Sequence, residues 1–107
     1  MVNHESPESR SPVVEVDAEL ADLIPQYLSN RWADLSIAQR LLSAGSFASL
    51  ANMAHKIRGS AAGYGFVRLG EIARAIETSA EAEDAADLAV HLAAYDAYLR
   101  SVRIEYV

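Results

Sequence analysis

The chain has 107 residues, 51% of them hydrophobic, a formal net charge of −6 and no cysteine. That length suits one domain around a single core, the missing cysteines exclude disulfides and thiolate metal sites, and the acidic balance argues against nucleic acid, whose backbone recruits basic faces. No apolar run approaches the roughly 20 residues of a membrane span, and the N-terminus lacks a basic-then-apolar secretory pattern, so a cytoplasmic protein with no membrane partner is expected.

Residues 1–16 contain Ser6-Pro7 and Ser11-Pro12 and show no helical period. They read as a flexible N-terminal tail or a weakly docked arm, with the folded domain spanning 17–107. His4 falls in this stretch and receives no role.

A first helical pattern begins near Asp17, a plausible N-cap. Its apolar stripe is Leu20, Ile24, Tyr27, Leu28, Leu35, Ala38 and Leu42, with Trp32 at the edge. Pro25 interrupts it, because proline lacks an amide donor and crowds the carbonyl four residues back. A short helical segment to Ile24, then a kink or break, then a long helix to about Ser43 is predicted. Ala44-Gly45-Ser46 supplies a stop and a new cap. The second helix runs from about Phe47 to Ala62, with Phe47, Leu50, Ala54, Ile57, Ala61 and Tyr64 recurring at steps of three and four. Gly63-Tyr64-Gly65 punctuates the chain, and either glycine suits the left-handed conformation that closes a helix.

A third helix places Phe66, Leu69, Ile72, Ala73, Ile76 and Ala80 inward, and Glu81-Ala82-Glu83-Asp84 ends it. Asp84 or a neighbour caps the fourth helix, whose inward residues are Leu88, Leu92, Tyr95, Leu99 and Val102. It continues to about Arg103, before a short tail. Short links make successive helices antiparallel, so the predicted fold is all-α, an up-and-down four-helix bundle.

Within the second helix His55 stands apart. At about 100° per residue it projects roughly 130° from the centre of the apolar face. Its neighbours one turn away are Ala48, Ala51, Asn52, Gly59 and Ala62, all small or short. Lys56, the only lysine in the chain, and Arg58 put positive charge beside it. Neutral imidazole is a good nucleophile near neutral pH and can carry a phosphoryl group on nitrogen. The chain has no phosphate-cradling G-x-x-x-x-G-K-[ST] loop, so His55 reads as a carrier whose partner supplies the rest of the catalytic site. Metal binding is not expected, since no two of His4, His55 and His91 share a helical turn. A hydrolase is not expected either, as Ser60 is too close in sequence to be served by His55 and no G-x-S-x-G elbow exists. His91, beside Leu92, reads as a boundary residue.

The run His55-Lys56-Ile57-Arg58-Gly59-Ser60, with Gly65 ten positions past the histidine, resembles the histidine-containing phosphotransfer (HPt) family. Members carry a phosphorylatable histidine, a basic residue three positions later, a glycine at four, often a serine next, and a glycine at ten. The resemblance implies that His55 is the phosphoacceptor and that Arg58 acts on the phosphate side, while Lys56 beside it either steers a partner's acidic pocket or pairs with a carboxylate; the small residues around the histidine assign Gly59, Ser60, Ala51, Asn52, Ala62 and Gly65 to access and docking. The resemblance also implies receiver domains of a hybrid histidine kinase or response regulator as partners, each bringing its own Mg²⁺, while the chain needs no cofactor. Glu77 stands where several members have a glutamine near the histidine, and could orient the imidazole. Glu81 stands where some members have a basic residue. Two functions follow: a phosphorelay intermediate between receiver aspartates, or a non-transferring adaptor that binds a receiver or kinase. The dimerisation helices of a histidine kinase fit less well, because their histidine is usually followed by an acidic residue and Lys56 follows here.

Overall fold

The computed structural model describes residues 11–107; His4 and most of the expected tail lie outside them. The element order is strand β1 (Val13–Val16), a 3-10 helix (Ala18–Leu23), helices α1 (Ile24–Ser43), α2 (Phe47–Tyr64), α3 (Val67–Glu81) and α4 (Ala85–Ser101), and strand β2 (Arg103–Tyr106). Each helix packs on its chain neighbours and α4 closes the ring against α1, which is the predicted four-helix bundle.

The apolar stripes explain why. Ile24, Tyr27, Leu35 and Ala38 of α1 are buried, as are Leu50, Ala54, Ile57 and Ala61 of α2. The whole predicted set from Phe66 to Ala80 is buried too, as are Leu88, Leu92, Tyr95 and Leu99 of α4. Pro25 marks the predicted junction, with a short helical segment before it and the long helix α1 beginning there. It sits in the first turn of α1, where its missing N–H costs nothing, and the segment before it winds as a 3-10 helix. Asp17 caps that segment, its side chain accepting from the Glu19 N–H at 2.9 Å.

Gly45 (φ 70°) and Gly65 (φ 84°) close α1 and α2 in the left-handed conformation. At Gly65 the N–H donates to Ala62 at 3.2 Å while the Phe66 N–H reaches back to Ala61 at 2.9 Å, a pairing that satisfies two carbonyls orphaned by the helix end. Gly63 therefore stays helical and α2 runs two residues beyond the predicted stop. Close approach of α3 to α2 is permitted by Gly70, where an added Cβ would stand 3.9 Å from the Ala61 Cβ. From that contact His55 lies six residues back along α2 and Glu77 seven forward along α3. At about 1.5 Å per residue these are nearly equal distances, so the antiparallel pair brings the two side chains level.

The chain ends depart from expectation. Val13–Val16 is not a free tail but pairs in parallel with Arg103–Tyr106, Val14 opposite Ile104 and Val16 opposite Tyr106. Val14 and Val16 are 8% and 1% exposed and belong to the core; a strand that buries alternate valines has reason to dock. The stretch after Arg103, read as a second tail, is the partner strand.

One buried polar residue was also not anticipated. Ser79, on the inner face of α3, donates its hydroxyl to Asp87 Oδ2, which lies 3.2 Å from His91 Nε2. The Ser79 hydroxyl, helped by the charge of His91, holds the Asp87 carboxyl below the usual aspartate range. A lowered folded-state value means stability present above about pH 4 and lost as pH falls through that lowered value. Ser79→Ala should therefore show a melting-temperature deficit that is constant near neutrality and narrows on acidification. A deficit that widened in acid would refute this account.

Candidate functional site

His55 is held on the middle of α2 by the buried faces of Ala54 and Ile57 on either side of it, and its side chain is 59% exposed. The carboxylate of Glu77 reaches it from α3, Oε2 lying 3.0 Å from His55 Nδ1. Arg58, one turn along α2, places Nη2 at 3.3 Å from the same nitrogen and Nη1 at 3.3 Å from Glu77 Oε1. The second contact has ion-pair distance without hydrogen-bond alignment, for Glu77 Oε1 is buried and has no hydrogen-bond partner among the described residues.

The tautomer follows from the donors available. A carboxylate only accepts, so the 3.0 Å contact is a hydrogen bond when Nδ1 carries the proton. Arg58 also only donates. It then finds no lone pair on Nδ1, and its charge is directed to Glu77. Nε2 keeps its lone pair and has no partner among the described residues. This is a ring oriented on one side and left nucleophilic on the other.

Around His55 the small residues lie as the helical geometry requires: Asn52, Gly59 and Ala62 are exposed and Ala51 is half-buried. An added Cβ at Gly59 would meet nothing within 4 Å. A methyl group there would not crowd the imidazole, and Gly59 leaves the surface beside His55 open. Gly59→Ala should keep transfer near wild type and raise stability by up to about 1 kcal/mol. Gly59→Leu should slow transfer at least tenfold, by rough analogy with the penalty for displaced reacting groups, with no fall in melting temperature. Wild-type transfer in the leucine variant would show that no partner covers this face.

Ser60 is not part of that open surface. It is half-buried and turned to α1, its Oγ 3.1 Å from the Tyr27 hydroxyl and 3.4 Å from Arg31 Nη1. Gly65 closes the helix and lies near β1 rather than beside His55. Lys56 is exposed and forms no ion pair among the described residues; it edges a cleft of about 520 Å³ between α1 and α2, together with Arg31, Asp34, Asn52 and Ser60. Glu81 is exposed at the last turn of α3.

A family model described as Hpt domain matches residues 20–104. The chain belongs to the Hpt domain family. No curated protein and no solved structure matches it significantly. Hpt domains serve histidine phosphotransfer in phosphorelays and interact with receiver domains of two-component systems. In this Hpt domain no helix among the described residues is long and apolar enough to cross a membrane.

Reading along the sequence missed the α1 wall of the cleft. Arg31 stacks over Tyr27, 4.6 Å from the ring centroid, and pairs with Asp34 at 2.9 Å. The signal was present as a cation four residues after a tyrosine and three before an aspartate, a spacing that aligns all three on one helical face. The Arg58–Glu77 pair was equally hidden, since it depends on the register of α2 against α3.

Proposed function

We propose that this Hpt domain carries a phosphoryl group on His55 Nε2, accepting it from the aspartyl phosphate of one receiver domain and passing it to the aspartate of another in the cytoplasm. The observation that carries this reading is the Glu77 hydrogen bond to Nδ1, which leaves Nε2 as the free nucleophile on an exposed helix face. In the forward step Nε2 attacks phosphorus in line, the N–P bond forms and the P–O bond to aspartate breaks, releasing that carboxylate. The Nδ1 proton stays on the ring, shared with Glu77, which balances the positive charge the imidazole gains. Onward transfer is the reverse, with a second aspartate as nucleophile. Such a loose transition state needs alignment and charge neutralisation more than covalent machinery. Arg58 and Lys56 supply positive charge from this chain, and Mg²⁺ is expected on the receiver.

Mixing the chain with a ³²P-labelled phosphorylated receiver tests the reading. Label should move onto the chain in an acid-labile, alkali-stable form, as an N–P bond requires. Receiver binding with no uptake of label would establish the adaptor instead. Glu77→Gln refines the test, because an amide can donate as well as accept and no longer fixes the Nδ1 proton or balances the ring charge. Uptake should slow about tenfold, the scale of one charge-assisted hydrogen bond. An unchanged rate would remove Glu77 from the reaction.

A further inference from the structure

Backbone groups alternate in direction along β1. Pro12, Val14 and Val16 turn theirs to β2: the Arg103 N–H donates to Pro12 at 2.8 Å and the Val107 N–H to Val16 at 2.9 Å, with Val14 in register opposite Ile104. The N–H and C=O of Val13 and Glu15 therefore point to the other side. In keeping with this, the Glu15 carbonyl lies 3.7 Å from where a Cβ on Gly65 would stand. Among the described residues, neither Val13 nor Glu15 makes a backbone hydrogen bond on that side. Unpaired strand edges of this kind are templates for another strand.

The space beside this edge is a groove of about 650 Å³, walled opposite by Val67, Arg68 and Glu71 of α3 and reached from α4 by Tyr98. Val13 is 48% exposed and Val67 70%. Tyr98 is only 5% exposed, yet its hydroxyl has no hydrogen-bond partner among the described residues. A buried hydroxyl without a partner is costly. The local charge is negative. Glu15 stands in register with Glu105, and Glu71 lies across the groove, paired at 3.3 Å with Arg68. Arg103 shares the outer face but sits one strand further away, opposite Val13.

We propose that this edge takes an extended, basic and apolar segment of a partner polypeptide as a third strand. Alternating N–H and C=O groups on Val13 and Glu15 are matched by another extended backbone. A residue added opposite Glu15 shares its face, where a lysine or arginine is favoured, and the residue opposite Val13 is apolar. A second copy of the chain would instead bring its own Glu15 and Glu105 against these carboxylates. Gly65 is ten residues along α2 from His55, about 15 Å, so a segment held here leaves the phosphotransfer face open. This site is independent of the phosphotransfer reading.

The test uses the full chain and the blocked peptide acetyl-Ala-Val-Ala-Lys-Ala-amide, with amide hydrogen exchange as the readout. Saturating peptide should slow exchange at Val13 and Glu15 about tenfold or more, the scale of forming hydrogen bonds at freely exchanging amides. A peptide with glutamate for lysine should not, and Glu15→Lys should reverse that preference. Equal response to both peptides, or none, overturns the proposal. So does protection of Val13 and Glu15 that grows with protein concentration in the absence of peptide, which would make a second copy the occupant. Faster exchange at these amides on deleting residues 1–10 would assign the edge to the chain's own N-terminal segment and also overturn it.

Discussion

His55→Gln is expected to abolish label uptake from a phosphorylated receiver while leaving helical content and melting temperature unchanged. The side chain is 59% exposed, so little packing is lost, and glutamine is a good helix former. Its amide can still donate to Glu77, which keeps that carboxylate and Arg58 near their resting positions. What disappears is the nucleophilic lone pair, and no nearby group replaces it. His91 is half-buried with Nε2 tied to Asp87 at 3.2 Å. Label retained by the variant, mapped by mass spectrometry, would move the acceptor elsewhere and end the assignment to His55.

The largest stability effect is expected from removing β1. Deleting residues 1–16 strips Val14 and Val16, 8% and 1% exposed, from the core. Burying a valine contributes about 1.5–3 kcal/mol, so the loss is about 3–6 kcal/mol before the ladder to β2 is counted. Against a typical domain stability of about 5–15 kcal/mol, that deletion should unfold the chain or lower its melting temperature steeply. Deleting only residues 1–10 leaves both valines in place and should cost little. Val16→Asp separates packing from chain length: it should behave like the longer deletion, because a carboxylate would be buried without a partner. Unchanged melting on losing β1 would mean that the bundle is complete without it.

What could be read from the residues depended on distance along the chain. The α3 stripe of Leu69, Ile72, Ile76 and Ala80 was legible because its period repeats within one element, and His55 was legible because it falls outside such a stripe. Val13-Val14-Glu15-Val16 was not, since four residues between Ser-Pro and Asp carry too short a pattern to distinguish a strand from a tail. Its partner Arg103–Tyr106 lies at the other end of the domain. Tyr98 escaped the predicted α4 stripe for a related reason: it is buried toward the β1 groove, and the groove was not foreseen. Ser79 escaped because a polar residue at an inward position looks like an interruption until Asp87 is found beside it. The Glu77–His55 contact lay between these cases. The resemblance suggested the pair, but only the α2–α3 register sets the 3.0 Å contact and thereby which ring nitrogen is left free.

The parallel pairing of β1 with β2 also constrains the order in which the domain forms. Val14 and Ile104 are paired across an interval of 90 positions (104 − 14), whereas the helical turns and the α2–α3 contacts join residues close in sequence. Closing so long an interval carries an entropic cost that is recovered only after the intervening helices have condensed. The helices can collapse first, with the seat of Val16 still open to water, and the two strands seal it together at the end. During synthesis β1 is made before any helix and must wait for all four before β2 exists to hold it. A nascent chain stopped after α4 would therefore be a loosely closed bundle. Hydrogen exchange on such chains should find the α2 and α3 amides protected before those of Val14 and Val16.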